Sequence, residues 1–285
     1  TDALTVVHAH KYRDAFLALL ARKLSRRRDV RVVLTCHRVR PGRDTWLARR
    51  ICRNLHALVF VSRLARDTFM SAWPDGLSPV PADRVHTLHS SIYMPGQGYA
   101  PLPQTGPKIA MFYGRVVPGK GVETFVSALE ALRGMRARAR IVGPGDPDYI
   151  DMMKRLADRL GVMDMIDWRN GPVDIHPLMD TCHFGVVPSH VREAFSLPTA
   201  MFMAHGRGVV CTDNGAQREY MAEGAEALFV PPGDVDAMKQ ALRHMAGDGD
   251  VLQRMGTASR LRYENCLGWP RFAAALAEIY RNGTL

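Results

Sequence analysis

Short apolar runs alternate along this chain with longer segments in which apolar residues recur every three or four positions. In the first third, the helical periods lie near residues 12–25, 45–53 and 64–73, and the apolar runs around them are LTVVHAH, RVVLTCH, ALVFVS and VHTLH. Apolar runs of this length separated by helical segments predict βαβ units, and therefore a parallel sheet.

The same alternation resumes after residue 107. The apolar runs are KIAMFYG, ARIVG, MIDWRN, FGVVPS, GVVCTD and LFVPP, and the helical segments are 122–132, 149–160, 175–180, the stretch after Pro198, and 235–246. The segment between the two halves, YMPGQGYAPLPQTGPK, is rich in Pro and Gly, as interdomain linkers are.

We therefore predict an α/β protein made of two Rossmann-like lobes. The predicted boundaries are a partial N-terminal lobe at 1–92, a linker at 93–107, and a C-terminal lobe at 108–285 whose last helix, 269–282, packs back on the first lobe. Ligands of such sheets bind at the carboxyl ends of the strands.

Charge is distributed unevenly between the two predicted lobes. Residues 1–92 hold 17 Lys and Arg against 7 Asp and no Glu, whereas the remainder holds 21 of each sign, so one lobe carries the whole net charge of +10. This surplus favours either a solvated face or attraction to an anionic membrane surface or a phosphate-bearing acceptor. No nucleic-acid-binding module accompanies the charge, which argues against nucleic acid as a partner.

Five scattered cysteines without a CxxC spacing predict neither a disulfide framework nor a zinc site. Because disulfides are rare in the cytoplasm, we expect a cytoplasmic location. No apolar run approaches the ~18–20 residues of a membrane span.

Two glycine-containing loops follow predicted strands of the second lobe. The first, GRVVPGKG, begins at Gly114 and places Arg115 and Lys120 where both cations can converge on one anion. The second, IVGPGDPDY, contains Gly143 and Gly145, which permit close approach of a ligand to the backbone. Asp146 and Asp148 in this loop have the spacing of a metal-binding dyad, but we assign them to helix capping.

The segment SHVREAFSLPTAMFMAHG places one carboxylate, Glu193, before a helix whose first turn contains Pro198 and which stops at Gly206. The N-terminus of a helix offers unpaired N–H groups and a partial positive charge, and phosphate is its natural ligand.

Four segments of the second lobe, taken in order, resemble the donor-binding domain of GT-B glycosyltransferases. They are GRVVPGKG, IVGPGDPDY, RLADRLGVMDMIDWRNGPV and VVPSHVREAFSLPTAMFMAHGRGVVCTDNGAQREYM. The resemblance is to the family-four group of retaining, nucleotide-sugar-dependent enzymes. The first lobe resembles the acceptor-side domain of that family through VVHAHKYRDAF, VVLTCH, VFVSRLARDTF and RVHTLHSSI.

The resemblance implies a role for each of these residues. Arg115 and Lys120 would stabilise the donor diphosphate as it leaves, Glu193 would accept hydrogen bonds from the transferred sugar, and His37 would reach the donor sugar from the acceptor side. The remaining expected donor-binding residues are Gly114, Gly143, Gly145, Phe195, Ser196, Leu197 and Met201, with the backbone N–H groups around Phe195, Ser196 and Leu197 facing the phosphates.

Two of the departures from the family pattern bear most on function. Met201 stands where the family has a second glutamate that holds the ribose, which predicts a weaker or different grip on the nucleotide. Several βα units that precede VVHAH in the family are absent, so we expect a fragment, an unusually short acceptor lobe, or a part supplied by another subunit.

The leading hypothesis is a retaining, metal-independent hexosyltransferase that uses a nucleoside-diphosphate sugar as co-substrate, with no other cofactor. Its acceptor would be a glycan or a lipid-linked molecule in envelope polysaccharide or glycolipid synthesis, at the inner face of the membrane. The alternatives are a donor-binding module without turnover and a nucleotide-sugar epimerase; the epimerase would need a carboxylate pair, whereas only Glu193 is placed for that role.

Overall fold

Two units of parallel α/β structure make up the chain. The computed structural model describes residues 5–73, 78–94 and 100–282. One unit contains the chain up to Ser91 together with the chain from Gly268 onward, and the other contains Ile92–Leu267.

The first unit is built on a four-stranded parallel sheet of order β1-β2-β3-β4. Its strands are β1 (Val6–Ala9), β2 (Arg31–Cys36), β3 (Ala57–Phe60) and β4 (Val85–Thr87), and its crossover helices are α1 (Tyr12–Leu24), α2 (Trp46–Asn54) and α3 (Arg63–Met70). Thr45 and Ser62 begin the second and third helices by accepting hydrogen bonds from backbone N–H groups, as good N-cap residues do.

The second unit has a six-stranded parallel sheet of order β10-β9-β8-β5-β6-β7. The strands are β5 (Lys108–Tyr113), β6 (Ala137–Val142), β7 (Ile166–Arg169), β8 (Phe184–Val187), β9 (Gly208–Thr212) and β10 (Ala227–Val230). The helices are α4 (Val122–Ala128), α5 (Pro147–Arg159), α6 (Ile175–Asp180), α7 (Leu197–Ala204), α8 (Val235–Gly247) and α9 (Gly249–Arg262). The chain order reverses between β5 and β8, so the crevice beyond their carboxyl ends is the topological switch point of the sheet.

Two helical segments differ from the prediction. The helix expected at 122–132 is α-helical only to Ala128 and then tightens into a 3₁₀ turn over Leu129–Leu132. The sequence pattern does not predict α9, because glycines and aspartates at its start resemble a loop; the Asp248 side chain caps the helix by accepting from the N–H groups of Asp250 and Val251.

The last helix, α10 (Trp269–Asn282), packs on the sheet of the first unit. Its Ile279 is fully buried against Val33, Ala57 and Val59. The neighbouring residues Val32, Leu34, Leu58 and Phe60 are also buried, and because side chains alternate along a strand they lie on the other face of the sheet. Both faces of this sheet are therefore covered.

Part of the expected linker, residues 95–99, lies outside the described residues. The chain that follows it is fixed to the second unit by Arg207, which is fully buried and donates to the carbonyl groups of Ala100 and Asp180. A buried guanidinium is stable here because several carbonyl groups accept its hydrogen bonds.

All five cysteines are free thiols. Within the described part of the chain, no three or more His, Cys, Asp or Glu side chains are grouped so that they could hold a metal ion. The described helices include none with the length and apolarity needed to cross a bilayer.

Candidate active site

The loops that follow β5 and β8 pack against each other at the switch point. Gly121 begins α4 with φ of 72°, and a Cβ atom there would lie 1.8 Å from the carbonyl oxygen of Pro188. The N–H of His190 donates to the carbonyl of Gly119 at 2.9 Å. Only glycine fits at position 121, because the conformation is left-handed and the neighbouring backbone leaves no room for a side chain.

A second pair of loops, after β5 and β6, is packed in the same way. Gly143 has φ of 135°, and a Cβ atom there would lie 2.1 Å from the carbonyl oxygen of Gly114. At Gly145 an added Cβ would lie 2.2 Å from the carbonyl oxygen of Val116. The sequence predicts that these glycines permit approach to a ligand, but the structure shows that they permit approach of one loop to the next.

Lys120 and Glu193 meet where the two switch-point loops come together. The Lys120 Nζ donates to the Glu193 Oε1 at 2.5 Å, and the side chain of Glu193 is only 10% exposed. The Glu193 backbone is held as well, since its carbonyl accepts from the N–H of Ala216 at 3.0 Å. Arg115, on the same loop as Lys120, has a solvent-exposed side chain. These side chains supply positive charge that can bind an anion, and a fixed carboxylate that can accept hydrogen bonds from hydroxyl groups.

Ser196, the N-cap of α7, lies three residues after Glu193. The Ser196 hydroxyl accepts from the Thr199 N–H at 3.4 Å and from the Thr199 hydroxyl at 2.9 Å, and is itself buried. Pro198 has no N–H, and the Ser196 N–H points to the Tyr220 hydroxyl at 3.4 Å. The Ser196 N–H thus has a partner within the protein, and its contact with a phosphate stays a prediction. Leu197, the first residue of α7, is 54% exposed.

Met201 and Phe195 are partly buried and pack against an apolar cluster that includes residues of α7, β8 and β9. The Phe195 ring lies 5.1 Å from the Tyr220 ring. Met201 thus contributes apolar packing at the position where the family pattern has a carboxylate.

A hydrogen-bonded scaffold fixes the β8 loop from behind. The carbonyl of Ser189 accepts from the Thr212 hydroxyl at 2.6 Å and from the Asn214 side-chain amide at 3.0 Å, and the same amide donates to the carbonyl of His190 at 3.0 Å. The His190 Nε2 lies 2.8 Å from the hydroxyl of Thr124 on α4. These contacts keep the segment that leads to Glu193 in one conformation.

Glu123 on α4 extends this scaffold. Its carboxylate lies 3.4 Å from the His190 Nδ1 and accepts a hydrogen bond from the Tyr149 hydroxyl of α5. Burial and this hydrogen bond to a carboxylate raise the pKa of Tyr149, so the phenol remains a donor. The next helix start is capped as predicted, because Asp146 accepts from the Tyr149 N–H at 3.1 Å.

Gln217 is a candidate functional residue that the sequence does not reveal. It is 1% exposed, and neither its Oε1 nor its Nε2 has a hydrogen-bond partner in the described part of the chain. A Cβ atom added to Gly215 would lie 2.3 Å from the Gln217 Oε1 and 2.9 Å from the Glu193 carbonyl oxygen, which places the amide beside the backbone of Glu193. Buried amides are rarely left unpaired, so this group is suited to a polar ligand.

His37 lies in the first unit, directly after β2. Its Nε2 is 2.8 Å from the Nδ1 of His10, which follows β1. His8, stacked on His10, bridges the Thr35 hydroxyl and the Tyr280 hydroxyl, each at 2.7 Å. Burial, and then the neighbouring histidines, lower the pKa of His8 to about 4, and burial together with His10 lowers the pKa of His37. These two imidazoles are therefore neutral at pH 7.

Two family models match this chain. The model described as "Glycosyl transferases group 1" matches residues 107–248, and the model described as "Glycosyltransferase Family 4" matches residues 3–94. Together they cover both units, in the order that the sequence predicts.

Relatives and solved structures agree with these models. The chain is 27% identical over 291 residues to a glycogen synthase of Mycobacterium tuberculosis, covering 96% of this chain and 68% of the relative. It is 31% identical over 184 residues to a D-inositol 3-phosphate glycosyltransferase of Streptomyces avermitilis, covering 60% of this chain and 39% of that protein. The crystal structure of Anabaena HepE in complex with UDP-glucose superposes with a TM-score of 0.80 at 17% identity, covering 96% of this chain and 78% of that one.

The fold of two parallel α/β units, the paired loops at the switch point and the two family matches lead to one assignment. The chain belongs to the family-four group of GT-B glycosyltransferases.

Proposed function

We propose that this protein is a retaining hexosyltransferase, which moves a hexose from a nucleoside-diphosphate sugar to a hydroxyl group of a glycan or lipid-linked acceptor. The observation that carries the proposal is the contact of Lys120 with Glu193 at 2.5 Å, at the switch point of the second sheet. A nearly buried carboxylate held by a cation at this place in the fold matches a site that binds a sugar on one side and a phosphate on the other.

The charges of the site favour a diphosphate leaving group. Arg115 and Lys120 supply two positive charges, and Glu193 offsets one of them. The N-terminus of α7 adds roughly half a positive charge. The site therefore keeps a positive surplus for the charge that develops when the glycosidic bond breaks, and stabilising such charge is commonly the largest contribution to catalysis.

In the proposed step, the bond between the anomeric carbon and the phosphate oxygen breaks, and its electron pair stays with the departing diphosphate. The acceptor oxygen bonds to the anomeric carbon from the same face, which retains the configuration, and its proton passes to the departing phosphate oxygen. Glu193 orients the sugar by accepting hydrogen bonds from its hydroxyl groups, and His37 is a further catalytic candidate on the acceptor-side unit.

We further propose that the reaction proceeds without a metal ion and without a cofactor other than the donor co-substrate, because protein cations neutralise the diphosphate. The setting that we propose is envelope polysaccharide or glycolipid synthesis in the cytoplasm, at the inner face of the membrane. The surplus of cations in residues 1–92 supports an acceptor that carries phosphate or lies at a membrane.

A donor-binding module without turnover is the second candidate. The observation that favours it is Met201, which packs against the apolar cluster and cannot accept a hydrogen bond from a ribose as a carboxylate would. Such a module would bind a nucleotide without transferring the sugar.

Calorimetric titration of the full chain with UDP, GDP, ADP and their sugar conjugates, without added metal, tests both candidates. UDP conjugates come first, because HepE was crystallised with UDP-glucose. Selective binding of one nucleotide, followed by release of that nucleoside diphosphate in the presence of an acceptor and a product with the donor's anomeric configuration by NMR, supports the transferase. Binding without turnover supports the silent module, and absence of binding by a folded chain contradicts both.

Substitutions at the cationic loop test the roles of individual residues. We expect Lys120→Ala and Arg115→Ala each to reduce kcat by at least about a hundredfold, since each removes stabilisation of the leaving group. Glu193→Gln keeps the size of the side chain. It should reduce kcat while changing the melting temperature little. Arg155→Ala is the matched control, because Arg155 is an exposed arginine on α5. Full activity of Lys120→Ala and Arg115→Ala would contradict the diphosphate assignment.

A further inference from the structure

A polar cavity of about 640 Å³ lies at the amino edge of the first sheet, where β2, β3 and β4 begin. Five arginines from five different segments of the chain line it: Arg22, Arg28, Arg31, Arg53 and Arg84. Arg31 is the first residue of β2, whereas His37 follows the last residue of the same strand, about 20 Å away. The cavity is therefore separate from the histidines at the carboxyl ends of β1 and β2.

Carboxylates do not balance the positive charge of this cavity. In the described part of the chain, none of the five arginines forms an ion pair. The carboxylates of Asp29 and Asp83 also line the cavity, but Asp29 already pairs with Arg27 at 2.7 Å. Like charges that converge on one cavity repel each other, so an anion that neutralises them is favoured there.

Backbone carbonyl groups hold two of the arginines in place. Arg31 donates to the carbonyl of Tyr280 at 2.7 Å. Arg22 donates to the carbonyls of Val30 at 3.4 Å and Asn54 at 3.3 Å. A guanidinium has five N–H groups, so both side chains retain donors for a ligand. Donors that are held before binding lose less conformational freedom when the ligand arrives.

His56 adds a polar group that has no partner. It lines the cavity, and its Nε2 is buried without a hydrogen-bond partner in the described part of the chain. Burial, and after it the charge of Arg31, lower the pKa of His56; Arg84 and His86 act in the same direction, and a hydrogen bond with the Ile279 backbone opposes them. An anion in the cavity would offset the neighbouring cations and favour the protonated imidazole, which can donate from Nε2.

From the converging arginines and the unpaired imidazole nitrogen we propose that this cavity binds a soluble anion that carries two or three linked phosphate groups. The planar guanidinium matches pairs of phosphate oxygens, which makes arginine well suited to phosphate. One phosphate carries about two negative charges, fewer than the five arginines can neutralise, so linked phosphates fit the cavity better. The inference does not rest on the proposed transfer reaction, because it involves none of the residues assigned to that reaction.

The lining of the cavity favours a soluble anion over a lipid. Of the described residues that line it, only Val30 and Leu55 are apolar, and both are buried. The cavity thus presents charged and polar groups to a ligand and no exposed apolar surface to an acyl chain.

The bound anion would also stabilise the packing of α10 on the first sheet. Asn282, the last residue of α10, lines the cavity, and Arg31 contacts the carbonyl of Tyr280 on the same helix. A ligand that binds the folded state adds to its stability. Binding should therefore slow hydrogen exchange at the end of α10, as expected of a regulatory site.

Calorimetric titration of the full chain with sodium tripolyphosphate at physiological salt tests the proposal, with sodium sulfate at equal ionic strength as the comparison. We expect tripolyphosphate to bind and sulfate not to bind. Arg53→Ala combined with Arg84→Ala should weaken binding at least about tenfold, since both guanidinium groups line the cavity. In the described part of the chain neither side chain forms a hydrogen bond or an ion pair, so the fold should tolerate this variant.

A matched control is available on the second unit. Arg155→Ala combined with Arg159→Ala removes two exposed arginines from α5 and should leave tripolyphosphate binding unchanged. Conversely, the Arg53 and Arg84 variant should bind UDP as the unchanged chain does, so this proposal and the proposed transfer reaction can fail independently.

The protonation of His56 gives a second readout. His56→Gln should weaken tripolyphosphate binding more at pH 6 than at pH 8, relative to the unchanged protein at the same pH. The reason is that only the histidine can take up a proton when the anion binds, and this uptake is favoured at the lower pH.

Three results would overturn the proposal. These are equal binding of sulfate and tripolyphosphate, unchanged binding by the Arg53 and Arg84 variant, and loss of tripolyphosphate binding in Arg115→Ala, which would place the anion at the loop after β5. Binding of a DNA oligonucleotide, or of vesicles that contain a phosphorylated inositol lipid, without binding of tripolyphosphate would also contradict a site for a soluble anion.

Discussion

The Gln217 amide is buried and has no hydrogen-bond partner among the described residues, and both features lower the stability of the folded chain. Burying an amide without partners costs about 1–3 kcal/mol, and replacing it by an apolar residue of similar shape can be neutral or stabilising. A group kept at such a cost beside Glu193 is a candidate for contact with the donor.

We therefore expect Gln217→Leu to leave the free energy of unfolding unchanged or to increase it, while weakening nucleotide-sugar binding. Denaturant unfolding and calorimetric titration measure the two quantities on the same protein. Gln253→Leu is the control, since Gln253 is exposed on α9. If Gln217→Leu binds the donor as tightly as the unchanged chain, the amide has no role in binding.

His8 makes stability depend on pH, because its pKa is lowered to about 4 by burial and by neighbouring histidines. In the unfolded chain a histidine has a pKa near 6.5. Between these values the unfolded state binds more protons than the folded state, so the stability from His8 is complete above pH 6.5 and is lost as pH falls toward 4.

Denaturant unfolding at pH 7 and pH 5 should accordingly show lower stability at pH 5, and a smaller difference for His8→Gln than for the unchanged protein. His244→Gln, at an exposed position on α8, provides the control. An identical pH dependence in His8→Gln would contradict the assignment of this effect to His8.

At the level of the elements, local sequence and tertiary contacts determine different parts of the α7 terminus. Ser196 caps the helix and Pro198 occupies its first turn, both of which the sequence predicts. The direction of the Ser196 N–H, in contrast, is set by Tyr220, which is 24 residues farther along the chain.

Ser196→Ala should lower the free energy of unfolding by about 1 kcal/mol, the usual effect of losing an N-cap, and should also raise the KM for the donor. Asp234→Ala removes the N-cap of α8 and should have a similar effect on stability without changing KM, because α8 begins at Val235 and contributes no residue to the proposed site. Equal KM values for the two variants would show that the α7 terminus does not bind the donor.

For the molecule as a whole, helix α10 packs on strands that are far from it in the sequence. Ile279 is fully buried against β2 and β3, although more than two hundred residues separate it from them. Removing its side chain leaves a cavity against the sheet of the first unit.

Ile279→Ala should therefore destabilise the first unit by about 2–4 kcal/mol. Hydrogen exchange of peptides from β2 and β3 should become faster, while exchange in β5 and β8 changes less. Leu261→Ala, at an exposed position on α9, should change neither. Unchanged exchange in β2 and β3 would contradict the packing of α10 as a source of stability.

The sequence alone determined the α/β class, most strands and helices, and the family. A strand or helix must bury an apolar face, which leaves apolar runs and helical periods in the local sequence. The loops GRVVPGKG and SHVREAFSLP can likewise be recognised from their own residues. Within the site, the sequence identified Lys120 and Glu193 as residues of interest, but not their contact with each other, because 73 residues separate them.

Only the tertiary structure decided which residues these loops bring together. It showed that Gly143 and Gly145 serve contact between loops, that Met201 packs in an apolar cluster, and that Gln217 lies buried beside Glu193. The physical reason is the same in each case: contacts between residues far apart in sequence depend on strand order and on side-chain packing, which local periodicity does not encode.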